Sequence, residues 1–206
     1  MTSHPKDLSD KLIYTIRGCD KVCRQLHLPF QAGSDRVLRE MNRHYDKKRY
    51  LEIIDKVKRE IPGIALTTDV IVGFPTETNE DFRETLDVLR YVRFDSIFSF
   101  IYSRREGTPA AKLEPVLSEE EIHRNFNELL ELQNGICKEK NLEYVGRVEE
   151  VLVDGDSRTD KSMMTGRTDS GKIVNFRAPG LLRGQYVNVR ITGARQWSLE
   201  GELTDR

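Results

Sequence analysis

LTTDVIVGFPTET, residues 66–78, reads as an apolar strand that carries one carboxylate and runs into a Gly-Phe-Pro turn opening a helix. Asp69 stands inside a Thr, Val and Ile run, where an unpaired charge is costly, so it is expected to point at a ligand or a partner at the strand's end. Upstream, LHLPFQAGS (Leu26 to Ser34) repeats the design with a short apolar strand, then Gln31 and a turn of small residues. Two strands ending in polar turns imply one shared site.

Outward from these strands the chain alternates. A short helix around Arg36 to Met41 leads to Asp46, an N-cap for a helix to about Arg59 with Tyr50, Ile53, Ile54 and Val57 on one face. After the strand Ile64 to Val72, a helix from about Asn79 to Val92 carries Phe82, Leu86, Leu89 and Val92 as one stripe, and Phe94 to Ser103 reads as a third strand. Strands and helices joined this tightly predict parallel βα units. A capping box from Ser118 to Glu121 opens a long helix over Leu117 to about Asn141. Beyond Val145, the runs VEEVLVDG, GKIVNF and QYVNVRITGA between Gly, Asp and Pro turns predict a small all-β domain, large enough for a five-stranded barrel.

The expected division is residues 1–115 as a partial parallel α/β barrel, 116–141 as a connecting helix and 142–206 as the β-barrel. MTSHPKD reads as lying just past the end of another strand, and a parallel sheet with an open edge needs a cover. Residues 1–115 are therefore expected to be the later half of a (β/α) barrel.

With 206 residues, 37% apolar and 33% charged, the composition is that of a soluble globular protein, and a net charge of −1 provides no global field toward nucleic acid or membrane. No apolar run suits a signal peptide or membrane span, and Cys19, Cys23 and Cys137 give no disulfide framework. The expected location is the reducing cytoplasm.

Cys19-x3-Cys23 suggests an iron–sulfur loop, but the Cys-x3-Cys-x2-Cys spacing that binds a cluster able to cleave S-adenosylmethionine would put its third thiolate at position 26, which is Leu26. Ordinary thiols are favoured, and no metal site is expected. Gln31 and Arg43 can both face the C-terminal end of the sheet, where parallel α/β folds bind ligands. An amide, a guanidinium fork for a carboxylate and the Asp69 acceptor for an amine or ribose hydroxyl suit an amino-acid-bearing nucleotide. Gly73 permits a turn that can lie along an adenine, Pro75 stiffens it, and Glu77 supports the turn or the next helix. Tyr102, Arg104 and Arg105 leave the third strand toward the same end. The four histidines show no ligand spacing: His27 and His123 read as structural or exposed, and His4 is the one placed to face the barrel mouth.

In the β domain, Arg158, Lys161, Arg167, Lys172, Arg177 and Arg183 fall mainly around turns and are candidate RNA contacts. Phe176 and Trp197 are stacking candidates, with core positions the favoured reading in so small a barrel.

TSHPKDLSDKLI, LHLPFQAGSDRVLREMNRHYDKKRYLEII, TTDVIVGFPTETNEDF and FSFIYSRREGTPAAKL together resemble the radical S-adenosylmethionine (SAM) methylthiotransferases. MTGRTDSGKIVNF and SLEGEL resemble their TRAM domain, a small β-barrel that holds RNA, and GRTDSGKIVNF is closer to the tRNA-modifying MiaB branch than to the ribosomal-protein branch. The resemblance implies a transferase that methylthiolates position 2 of the adenine in N6-isopentenyladenosine beside the tRNA anticodon. It implies S-adenosylmethionine as cofactor and two 4Fe-4S clusters in the complete enzyme. Carried over, Gln31, Arg43 and Asp69 resemble polar contacts to S-adenosylmethionine, and Gly73 with Phe74 resembles the adenine-side turn. The cluster-bearing cysteines are absent from this chain, which is expected to be inert alone and to need the missing N-terminal portion of the enzyme, with tRNA (the anticodon stem-loop) as partner and no membrane. The alternatives are a fragment of a ribosomal-protein S12 or threonylcarbamoyladenosine methylthiotransferase, or a non-catalytic RNA-binding protein. A phosphate-binding barrel would need a Gly-rich anion nest that is not found.

Overall fold

The computed structural model describes residues 3–157, 160–178, 180 and 183–204. They form two compact units, Met1–Asp20 with Leu26–Gln133, and Lys21–Gln25 with Asn134–Arg206.

A three-stranded sheet runs in the order β1 (Gln25–His27), β2 (Ala65–Val72), β3 (Ser96–Ile101), and all of it but Gln25 belongs to the first unit. β2 and β3 are parallel, with Thr67 beside Ser96 and Val72 beside Ile101. Between β1 and β2 the helices α2 (Asp35–Glu40) and α3 (Lys47–Glu60) intervene, and α4 (Asn79–Val92) joins β2 to β3. α1 (Asp10–Gly18) precedes them, with the Ser9 side chain accepting from the Leu12 N–H. The expected stripes are the buried faces: Tyr50, Ile53, Ile54 and Val57 on α3, and Phe82, Leu86, Leu89 and Val92 on α4. Asp46 caps α3 as read, accepting from the Arg49 N–H.

Alternation along β2 puts Thr68, Val70 and Val72 on the helix-covered side and Thr67, Asp69 and Ile71 on the other. β1 is shorter than the LHLPF strand read from sequence, and the reason is chemical. Leu28 N–H donates to Thr67 O, yet the next ladder bond runs from Gln31 N–H to Asp69 O, so β1 advances three residues while β2 advances two. Pro29 has no N–H to give, and the Phe30 N–H donates to Thr68 Oγ1 instead. The hydroxyls of Tyr50 and Thr68 both donate to Leu28 O at 2.8 Å. Gln31 resumes the ladder at φ 71°, a left-handed conformation that costs a non-glycine residue about 1 kcal/mol or more.

In the second unit, β4 (Val148–Asp156), β5 (Met164–Thr168), β6 (Ile173–Arg177), β7 (Tyr186–Ala194) and β8 (Leu199–Leu203) close into a barrel in the order β4-β5-β6-β8-β7. Val151, Val153, Val174, Phe176, Val189, Ile191 and Leu199 fill it. Phe176 is core, as favoured, whereas Trp197 is 60% exposed. α5 (Glu119–Leu142) is the long helix, opened by the Ser118–Glu121 box as read.

Candidate functional site

At the C-terminal end of the parallel strands of the first unit lies a cavity of about 740 Å³. Gln31, Arg43, Asp69 and Phe74 line it together, with Tyr102 and Arg105 from the segment after β3. Each wall has its own local cause. Gln31 arrives through the bulge in β1 and is 7% exposed. Arg43 follows a C-cap in which Asn42 takes φ 57° and the Arg43 N–H donates to Leu38 O at 2.8 Å, closing a Schellman turn on α2. Asp69 faces the cavity from β2, with His27 Nε2 3.4 Å from its Oδ1. The other nitrogen of that ring, Nδ1, is 2.9 Å from Thr67 Oγ1.

Two polar atoms in this wall have no protein partner: the buried Arg43 Nε and the buried Tyr102 hydroxyl. The Phe74 and Tyr102 rings meet edge to face, 5.4 Å apart at 76°, and add an apolar flank. Burial pushes the nearby Tyr45 phenol up to about 12, against the pull of the Arg43 charge.

Gly73 sits beside this cavity without lining it. Its φ of 76° makes the turn, and an added Cβ would come within 2.8 Å of the Ile122 side chain, so glycine is required there for both conformation and space. Gly73 N–H donates to Glu77 Oε2 at 2.6 Å, which makes Glu77 the brace of the turn that delivers Phe74. Glu77 is 1% exposed, and burial pushes its carboxyl up to about 7 against the pull of the Gly73 N–H. Gly73, with Arg104 and His123, lines a second cavity of about 310 Å³.

Behind the turn, Asp81 binds α4 to α2. It accepts from Ser34 Oγ at 2.5 Å, from Arg36 Nη2, and from the Thr78 N–H at 2.9 Å. Burial raises its carboxyl, but the bonds from Arg36, Ser34 and Thr78 outweigh that and hold it at about 2.

His4 packs edge-on against Tyr45 and is not among the residues lining the cavity, while His123 is exposed. His27, read as structural or exposed, is the partner of Asp69. Cys19 is partly exposed, Cys23 exposed and Cys137 buried, and among the described residues no three His, Cys, Asp or Glu side chains converge as a metal site. An iron–sulfur cluster does not fit these residues.

The basic residues of the barrel do not form one patch. Lys161, Arg177 and Arg183 lie at one end, Lys172 lies in the β5–β6 turn at the other, and Arg167 between them pairs with Asp154 at 3.0 Å. Arg158 lies outside the described residues.

Residues 1–89 match the family model of the radical SAM superfamily, and residues 142–204 match that of the TRAM domain. A solved radical SAM enzyme, coproporphyrinogen III oxidase (HemN) from Escherichia coli, shares the fold at TM-score 0.53 with 14% identity, over 92% of this chain and 45% of that one. The chain thus pairs a segment similar to the radical SAM superfamily with one similar to the TRAM domain. Among curated relatives, tRNA-2-methylthio-N(6)-dimethylallyladenosine synthase of Acetivibrio thermocellus is 57% identical over 98% of this chain and 42% of its own length. The proteins of that name from Clostridium botulinum (strain Langeland) and Clostridium perfringens (strain SM101) are each 52% identical, over 98% and 100% of this chain and 45% and 46% of their own lengths. By these matches the chain resembles a portion of the radical SAM methylthiotransferases. It spans less than half the length of the curated relatives it matches.

Proposed function

We propose that this chain is the S-adenosylmethionine-gripping and RNA-holding part of a transferase that methylthiolates N6-isopentenyladenosine beside the tRNA anticodon. The observation that carries the reading is the convergence of Gln31, Arg43 and Asp69 on one cavity at the C-terminal end of the parallel strands. In this reading the Arg43 guanidinium meets the ligand carboxylate, Asp69 accepts from an amine or a ribose hydroxyl, and Gln31 bridges by its amide. Phe74 flanks the adenine, and the Gly73 turn holds Phe74 there. When bound, S-adenosylmethionine supplies a sulfonium carbon–sulfur bond for reductive cleavage. The described thiols do not converge, so this chain's own residues bind and orient, and the clusters belong to a further portion of the enzyme.

The division that goes with this reading is residues 1–115 as the barrel part, 116–141 as a linking helix and 142–206 as the RNA-holding barrel, with the anticodon stem-loop as partner. Among the described residues no helix is long and apolar enough to cross a membrane, which is compatible with work in the cytoplasm on tRNA. Alone, the chain is expected to form no methylthioadenosine.

The test is ligand-observed NMR of the chain with S-adenosylhomocysteine, which binds without needing cleavage. Saturable binding is expected, about tenfold or more weaker in Arg43→Ala and in Asp69→Asn, as expected for loss of a charge-assisted bond. Absence of saturable binding, or variants that bind like the parent, would overturn the reading.

A further inference from the structure

Trp197 is the sole tryptophan of the chain, and the second unit leaves it 60% exposed where packing would bury about 150–250 Å² of such a side chain. Its turn is firmly held. Arg195 N–H donates to Ser198 O at 2.8 Å, closing the β7–β8 hairpin. The amide of the buried Asn141 donates to Arg195 O at 2.9 Å and to Gln196 O at 3.0 Å. An indole displayed from a clamped turn loses little freedom when something stacks on it.

The strand topology gathers cations at the same end of the barrel. β6 and β8 run parallel with Val174 beside Leu199, so the β5–β6 turn and the β7–β8 turn lie side by side. One helical turn beyond Asn141, the hydroxyl of Tyr144 lies 2.9 Å from Ser170 Oγ in the β5–β6 turn. Arg147 and Lys172 both approach the Tyr144 ring, with Cζ 5.1 Å and Nζ 5.8 Å from its centroid. Such cation–π contacts hold the two charges beside the turn. Acids are present too: Glu149 lies near Arg147 and Asp169, and Arg195 pairs with Glu200. The expected binding is therefore led by stacking, with a modest salt dependence.

We propose that this end of the barrel is the surface on which an unpaired RNA base stacks, on the Trp197 indole, with neighbouring phosphates meeting Arg147 and Lys172. The inference rests on the RNA-holding role proposed above and specifies its contact surface. It competes with the opposite end, where Tyr186 is 66% exposed near Arg183. The five residues of β6 separate the two ends by about 16 Å. The end bearing Trp197 is favoured because its aromatic and cationic groups are already held by the protein.

The experiment uses the whole chain and a fluorescein-labelled anticodon stem-loop RNA, with binding read by anisotropy. A parallel titration with the unlabelled RNA reads the fluorescence of Trp197. Quenching that saturates over the same RNA concentrations is expected. Trp197→Ala should weaken binding about tenfold, Trp197→Phe should restore most of it, and the Arg147→Ala/Lys172→Ala pair should lower the salt slope by about 1.4. Lys161→Ala/Arg177→Ala/Arg183→Ala and Tyr186→Ala should change affinity little. Binding without quenching, or binding lost in the Tyr186 or Lys161/Arg177/Arg183 variants but kept in Trp197→Ala, would overturn this placement and leave the RNA-holding role standing. No binding at all would overturn both. The S-adenosylhomocysteine result is independent of either.

Discussion

Replacing Glu77 with glutamine should change how the stability of the first unit depends on pH. In the native state Glu77 is sealed from water with one oxygen on the Gly73 N–H and the other without a partner. Burial lifts its carboxyl from the ordinary 4.5 to about 7. The folded chain therefore holds this proton more tightly than the unfolded chain. The stabilisation is complete below 4.5, is lost as pH rises through about 7, and stays lost above it. At roughly 1.4 kcal/mol for each pH step across that window, the loss totals about 3 kcal/mol. Glutamine keeps the acceptor for Gly73 and cannot ionise. Thermal unfolding by circular dichroism should find Glu77→Gln and the parent alike near about pH 4, and the variant more stable by about 3 kcal/mol near about pH 8. For a chain of this size that is roughly 6–12 °C in the unfolding midpoint. Parallel pH curves for the two proteins would refute the reasoning, because they would mean that Glu77 is ionised in the native state without penalty.

Asp81 should behave in the opposite sense. Its carboxyl is held at about 2, so its contribution is present above 3.8 and is lost as pH falls through about 2. Asp81→Asn should cost about 2 kcal/mol at neutral pH and progressively less in acid, read from denaturant midpoints across that range. Gly33→Ala should destabilise by about 2 kcal/mol or more, because the new Cβ would lie 2.4 Å from Glu84 O and 2.5 Å from Thr85 Cα, both backbone atoms of α4. A urea midpoint unchanged from the parent would contradict that close approach of the 31–34 turn to α4.

The parallel sheet was legible because its signals are local. Asp46 before a helical stripe, Asn79–Val92 with its period, and the Thr/Val/Ile run of β2 each need only neighbouring residues to be understood. The convergence of Gln31, Arg43, Asp69 and Phe74 on one cavity followed from the rule that strand ends share a face. What escaped was set by distant parts of the chain. Gly73 is shaped by Ile122, and no window around Gly-Phe-Pro contains that residue. β5 and β8 carry no strand signal of their own, since Gly166 and Gly201 stand at buried barrel positions where a Cβ would lie 2.4–2.6 Å from neighbouring strands. There glycine marks close approach of strands rather than a turn. Trp197 was read toward the core because size and apolarity favour burial, and nothing local shows that Asn141 fixes its turn outside the barrel.

The same division between local and distant causes explains how the cavity walls are held. Arg43 is aimed by a turn on α2, Asp69 by the pleat of β2 with His27 and Thr67 beside it, and Phe74 by the Gly73–Glu77 bond, so each of these three wall groups has its own support. Supports built into the secondary structure in this way need little rearrangement when a ligand carboxylate arrives. Gln31 is held at positive φ by the bulge in β1, strain that the ladder bonds on either side of it maintain.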